Sequence, residues 1–328
     1  MNEPLLHELE AIYSGIEPWE GCVPRGFGAS FLGVLTDLSF VMRGPEKDAR
    51  LENARSDRYE RTRLPSRGEP EYYETGTVLR SASLARDRFT MIELGAGYGP
   101  HLVSAAVALR RWNPLPALLV GVEPEPTRFQ WMCRHFLANG VEPSSNRLVH
   151  AAVVPDAVAS PWELFPEGVP DWPAHAIASH SDPIENQRLI DLVQIGLGIE
   201  GEIDEGPYRR ERFRLRPVAA IDLGSILDDL EEVDLVHMDI QGKEDVVLPG
   251  AIERATRKVQ TFCIGTHSRS IEDGLRNLFL ANGWRPLADF AGGVVHSVRR
   301  DRLDLVGKDG IQIWENDSFS RGSPGGGR

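Results

Sequence analysis

A glycine-rich bend sits where a strand meets a helix in this chain: Glu93-Leu94-Gly95-Ala96-Gly97-Tyr98-Gly99-Pro100 follows the apolar run Phe89 to Leu94 and precedes a helical pattern from His101 to Trp112. Glycines recur where a backbone must turn tightly and let a ligand approach its amides. Pro100 falls at a first helical position, where a missing N–H leaves nothing unpaired. The rhythm continues with a strand at Leu118 to Val122, a helix at Thr127 to Asn139 stopped by Gly140, and a strand at Arg147 to Val154.

The same alternation returns further along, with a short helix at Ser225 to Leu230 and a strand at Val233 to Ile240. A helix from Glu244 to Arg257, a strand from Val259 to Gly265 and a helix from Ser270 to Asn282 follow. Strands near Pro286 to Phe290, Val294 to Val298 and Ile311 to Trp314 close the pattern. Strand–helix alternation at this spacing predicts an α/β fold with a doubly wound, mainly parallel sheet. Residues 1–88 read as an N-terminal extension capping the core, with a helix at Glu71 to Arg86. The core spans 89–315, interrupted at 156–217 by a Pro-, Trp- and Arg-rich insertion of lid character. Residues 316–328 read as a disordered tail.

A net charge of −13 opposes non-specific adsorption to nucleic acid or anionic lipid. Three cysteines without a C-x-x-C pair are expected to be reduced thiols of a cytoplasmic protein. No apolar run approaches the roughly 20 residues of a membrane-spanning helix, and no secretory leader is visible. The expectation is a soluble protein acting on a small molecule, with a homo-oligomer left open.

Two nucleotide classes use a bend of this kind. A dinucleotide pyrophosphate favours G-x-G-x-x-G, but position 100 is proline and the third glycine falls at Gly99. Glu93 places a carboxylate at the strand end, which suits a ligand carrying ammonium and sulfonium charges better than a pyrophosphate. Glu123, ending the second strand, is placed to hold a ribose diol. The residues therefore point to S-adenosylmethionine, bound by Glu93, Gly95, Gly97, Gly99 and Glu123, with a nicotinamide-dependent oxidoreductase as the rival. Tyr73, in the helix before the core, is a further donor-side candidate, although an aromatic pair on a helix is as readily explained by packing.

In these segments the chain resembles class I methyltransferases, and within them the FkbM-type family that depends on S-adenosylmethionine. The resemblance rests on Met91 to Gly99, on Gly121-Val-Glu-Pro124, on Val233-Asp-Leu-Val-His-Met-Asp-Ile-Gln-Gly-Lys-Glu244 with Val247-Leu-Pro-Gly250, and on Ile264-Gly-Thr-His-Ser268 before Asn282-Gly-Trp284. It covers about residues 68–298. It implies a Rossmann-like doubly wound sheet and methylation of a hydroxyl on a sugar, glycolipid or secondary metabolite. A catalytically silent scaffold of the same fold is the non-enzyme alternative.

Methyl transfer to a hydroxyl requires alignment of donor and acceptor and a group to receive the proton. Asp239 closes one strand and His267 follows the next, so parallel pairing is expected to set them across one cleft as catalytic candidates, with Gln241 supplying hydrogen bonds. His267 is expected to act as the base, because an unperturbed imidazole titrates near neutrality. His237 reads as a buried core histidine. Asp239, Glu244 and His267 could hold a metal but match no strong metal-ligand spacing, so a metal is the minor option and none is assigned. Arg209 to Arg216 alternates so that an extended strand would put its arginines on one face, most simply a solvated one.

Overall fold

The computed structural model describes residues 3–40, 54–155, 162–166, 176–178, 213–292 and 309–319, with side chains excluded from 162 to 217. Seven strands form the central sheet: β1 (Phe89–Leu94), β2 (Ala117–Val122), β3 (Arg147–Val149), β4 (Val233–Met238), β5 (Val259–Thr266), β6 (Trp284–Phe290) and β7 (Gly310–Asn316). Their spatial order is β6-β7-β5-β4-β1-β2-β3. β7 runs antiparallel to β5 and β6, and the pairs from β5 through β3 are parallel. This is the Rossmann-like, doubly wound α/β architecture that the strand–helix alternation predicts.

β1 and β4 are buried along their whole length, as expected of central parallel strands covered on both faces. On one face Phe89, Met91 and Leu235 pack with α1 (Glu3–Ser14), α2 (Pro70–Leu84), α3 (Pro100–Trp112) and α4 (Pro126–Ala138). On the other, Ile92, Leu94, Val236 and Met238 meet α5 (Leu223–Asp228), α6 (Glu244–Lys258) and α7 (Arg269–Ala281). Period-two alternation puts Glu93 and His237 on the first face, beside the only layer that also carries α2 and α3.

The helix starts follow from local chemistry. Pro70, Pro100 and Pro126 open α2, α3 and α4, where a first-turn N–H is unpaired anyway. Glu125, Asp222 and Ser268 cap α4, α5 and α7 by accepting the N–H groups of Arg128, Ser225 and Ile271.

Four features depart from or fall beyond the sequence reading. The expected strand Arg147 to Val154 breaks at His150, whose Nε2 lies 2.9 Å from Pro124 O. Ala152–Val153 then pairs with Ala220–Ile221 outside the central sheet. Residues 1–88 form more structure than an irregular extension: Glu20–Val23 pairs with Arg58–Arg61 and Phe27–Ala29 with Leu35–Asp37, while Leu5, Leu9 and Tyr13 of α1 enter the main core. The Tyr13 hydroxyl donates to Tyr72 O at 2.9 Å, and the two rings stack at 4.5 Å. Within 156–217, Trp162–Pro166 pairs antiparallel with both Ala176–Ala178 and Phe213–Pro217. The side chains of the arginine-rich run, the expected strand Val294 to Val298 and the tail from 320 onward lie outside the described residues.

Arg80 of α2, 8% exposed, bonds Glu8 of α1 and, at 2.7 Å, Glu315 of β7. No helix among the described residues is long and apolar enough to cross a membrane.

Candidate active site

The glycine bend is held by backbone bonds on one side and by the neighbouring strand end on the other. Gly95 and Ala96 donate to Val122 O at 3.0 and 2.9 Å, tying the bend to β2. Gly95 has φ +75°, and a Cβ there would lie 1.9 Å from Asp239 O, so no larger residue fits. Gly97, at φ +56°, faces open space, and its N–H donates to Glu123 Oε2 at 2.7 Å. Gly99, at φ +71°, caps α3, and a Cβ there would press on Met132 and Phe136. Beneath the bend, His135 Nδ1 lies 3.0 Å from Tyr98 O and Nε2 3.2 Å from the Thr36 hydroxyl. Burial lowers the His135 pKa to about 4 despite these bonds, so the ring is neutral.

A cleft of about 280 Å³ opens on the bend, lined by Glu93, Gly95 to Tyr98, Pro100, His101, His237 and Asp239, and also by Phe40, Arg128 and Trp131. Phe40 comes from the short turn Leu38–Phe40 and stacks on Trp131, 5.1 Å between centroids with planes 20° apart. This aromatic pair and the Arg128 guanidinium give the cleft a flat apolar wall beside a cation.

Glu93, His101 and His237 line the cleft, and Glu74 lies against the two histidines. β4 and β1 pair in register His237 to Glu93, leaving His237 Nδ1 3.9 Å from Glu93 Oε1. The rings of His237 and His101, the latter in the first turn of α3, lie 4.1 Å apart. Both ring nitrogens of His237 are buried without a hydrogen-bond partner. Glu93 is 2% exposed and accepts from Leu102 N at 3.3 Å. Burial pushes its carboxyl well up, partly opposed by the N–H groups of Leu102 and His101. Burial likewise lowers His237 to about 4 and His101 well below the usual imidazole range. Glu74 of α2 is raised to about 7 by burial and then by the Asp239 and Glu71 charges.

Asp239 and His267 do meet at the carboxyl ends of β4 and β5. Asp239 Oδ1 accepts from Gln241 Nε2 at 2.7 Å and lies 3.3 Å from His267 Nε2. His267 Nδ1 is 3.1 Å from Glu244 Oε1, so the ring sits between two carboxylates, although neither contact is aligned as a straight hydrogen bond. The fully buried Glu244 also accepts from Ile240 N and Gly242 N, at 3.1 and 3.2 Å, shaping the loop in which Gln241 takes a left-handed φ of +58°. Burial alone would lower the His267 pKa, but Asp239 and Glu244 outweigh it and raise it to about 11. Burial would raise Asp239, and contact with His267, His237 and Gln241 instead holds it below the usual carboxylate range. The expectation that His267 acts as a neutral base meets an imidazolium here, which has no lone pair to offer. Asp239, with its side chain 42% exposed, is the ionised group at the cleft.

Among the other expected residues, Glu93, Gly95 and Gly97 line the cleft, while Gly99 lies behind it at the start of α3. Glu123 is 4% exposed, with Oε2 on Gly97 N and Oε1 on Glu125 N at 2.8 Å. Tyr73 is 1% exposed and packs against Phe290 at 4.6 Å, within the core and away from the cleft lining. Phe40, Trp131, Arg128 and His101 are cleft residues that the sequence reading did not single out. His101 had a visible signal, the first helical turn behind the bend; Phe40 had none, because only tertiary packing brings it there.

No protein-family model matches the chain. A protein of Jannaschia sp. (strain CCS1) named "Putative methyltransferase" is 27% identical over 226 residues, covering 67% of this chain and 71% of that protein. Among solved structures, a SAM-dependent methyltransferase from Agrobacterium tumefaciens aligns with TM-score 0.38 and 10% identity, covering 79% of this chain and 67% of that one. A precorrin-6y C5,15-methyltransferase from Geobacter metallireducens GS-15 aligns with TM-score 0.36 and 11% identity, covering 77% and 92%.

Proposed function

We propose that the protein is an S-adenosylmethionine-dependent methyltransferase of class I, of the FkbM type, that methylates a hydroxyl oxygen of a small carbohydrate-bearing or secondary metabolite. The observation that carries the reading is the bend itself: Gly97, left-handed and bare toward the cleft, with its amide tied to the carboxylate of Glu123. The relative of Jannaschia, named as a methyltransferase, supports methyl transfer.

S-adenosylmethionine supplies a methyl group already activated on a sulfonium, so the protein's task is placement and proton management. Glu123, at the end of β2 with its oxygens on Gly97 N and Glu125 N, is the carboxylate for a ribose diol, and Phe40 with Trp131 offers a flat wall for a purine. Glu93 answers the donor's positive charge from the floor, and an ammonium arriving there would draw its raised pKa back down. On the acceptor side, Asp239 Oδ1 is occupied by Gln241 and His267, which leaves Oδ2 to receive the hydroxyl proton. His267 and Glu244 position Asp239 and keep it ionised.

The test is calorimetry with S-adenosylmethionine on the wild type, Glu123→Ala and Trp131→Ala, followed by incubation of the wild type with methyl-labelled donor and a metabolite extract. Saturable donor binding weakened at least tenfold in Glu123→Ala, with label appearing on a hydroxyl, is the expected result. Absence of donor binding by the folded wild type would sink the reading.

A further inference from the structure

We propose that Glu74, His101 and His237 form a binding site for a divalent first-row transition-metal ion on the cleft floor, with open coordination positions facing the cleft. Three separate elements bring these side chains together: α2 carries Glu74, the first turn of α3 carries His101, and the end of β4 carries His237. One ligand atom from each lies within 4.8 Å of the other two. A cation placed among them at ~2.1 Å asks each atom to move by no more than about 0.7 Å, which side-chain rotation supplies.

The second observation is the state of His237. Its side chain is 5% exposed, and neither ring nitrogen has a hydrogen-bond partner. Buried polar atoms of native proteins are almost always paired, yet the second imidazole, 4.1 Å away and tilted by 39°, leaves both His237 nitrogens without a partner. A cation among the three side chains gives one of these nitrogens a partner. Glu93, 3.9 Å from His237 Nδ1, is placed as the carboxylate that orients a ligating histidine through its other nitrogen.

The donor set selects the ion. Two imidazoles and one carboxylate suit zinc, ferrous iron, cobalt or nickel, and not magnesium or calcium, which demand mostly oxygen. Three protein ligands leave positions open, and His101 and His237 line the cleft. On the methyl-transfer reading, those positions would take the acceptor oxygen and lower its pKa beside Asp239. In the other cluster of similar composition, Asp239, Glu244 and His267, the imidazole is already ion-paired to both carboxylates, 3.3 Å from Asp239 Oδ1 and 3.1 Å from Glu244 Oε1, while Glu244 Oε1 also accepts from Ile240 N and Gly242 N and Asp239 Oδ1 from Gln241.

The full chain, stripped with a chelator, is dialysed against zinc without any methyl donor, and bound metal is measured by elemental analysis. The expected result is about one zinc per chain in the wild type and in His150→Gln and His267→Gln, with affinity at least tenfold weaker in Glu74→Gln and His237→Gln. Cobalt-loaded wild type should show visible d–d bands that His237→Gln alters, and circular dichroism establishes that each variant is folded. Should His237→Gln not fold, Glu74→Gln and the wild-type cobalt spectrum decide. No stoichiometric metal in the wild type, unchanged binding in Glu74→Gln and His237→Gln, or loss in His267→Gln alone each overturns the proposal. Donor calorimetry on the metal-free chain reports separately on the methyl-transfer reading.

Discussion

Gly95 stands against the carbonyl of Asp239, so close that a Cβ on Gly95 would come within 1.9 Å of that oxygen. The donor bend and the candidate acceptor carboxylate are thus in direct backbone contact across β1 and β4. Gly95→Ala is expected to destabilise the fold by about 3 kcal/mol or more, combining left-handed strain with the clash. Gly26→Ala, at φ +81° with nothing within 4 Å, isolates the strain alone and should lose only about 1 kcal/mol. Urea denaturation of the two variants checks this, and equal losses would remove the clash from the account.

His267 gives a signed pH dependence. Its pKa rises from 6.5 unfolded to about 11 folded, so its stabilisation is complete below about pH 6.5 and fades as pH climbs toward 11. The wild type should lose stability between pH 7 and 10, and His267→Gln, already lacking the charge, should show a flatter limb there. Denaturation midpoints across that range decide the matter. The same variant should raise the Asp239 pKa and slow methyl transfer by roughly 10- to 100-fold, with little change in donor affinity.

His135 acts in the opposite direction. It is 1% exposed and neutral, with its pKa lowered to about 4 by burial. The unfolded chain takes up a proton near pH 6.5 that the folded chain refuses, so stability is full above that pH and is lost as pH falls toward 4. The loss is on the order of 3 kcal/mol over that interval. His135→Gln should be less stable at pH 7 but less sensitive to acid; an unchanged acid limb would show that other groups govern it.

Arg80 joins α1 to β7 through Glu8 and Glu315. Arg80→Met keeps the aliphatic bulk and leaves the Glu315 carboxylate, 15% exposed, without this partner, which is expected to lose roughly 2–3 kcal/mol. Arg285 still holds Glu315, and Glu8 is half-exposed, both of which moderate the effect. Limited proteolysis should then cut near α1 before the sheet, and a protection pattern identical to wild type would contradict the coupling.

The parts of the fold visible in the sequence were those specified by local physics. The bend at Gly95 to Gly99, the helix openings at Pro100 and Pro126 and the buried runs of β1 and β4 each follow from a few adjacent residues. The helix at Pro70–Leu84 was visible too, but the short strands before it were not, because they are held by pairing between segments such as Glu20–Val23 and Arg58–Arg61 rather than by periodicity. At the site, the meeting of Asp239 with His267 follows from parallel pairing of β4 and β5. The charge state of His267 did not follow, since Glu244 reaches the ring only by anchoring the intervening loop. His237 read as a core histidine, and burial agrees; its unpartnered nitrogens depend on what α2 and α3 place opposite.

The position of β7 between β5 and β6 sets an order on assembly. β6 hydrogen-bonds to β7 within the sheet, yet β7 is translated after it. On the ribosome, therefore, Trp284–Phe290 has no docking strand until Gly310–Asn316 has emerged, and Arg80 waits for its second carboxylate over the same interval. The nascent protein must carry an unzipped sheet margin until residue 316 has emerged, and during that window the margin is open to aberrant association.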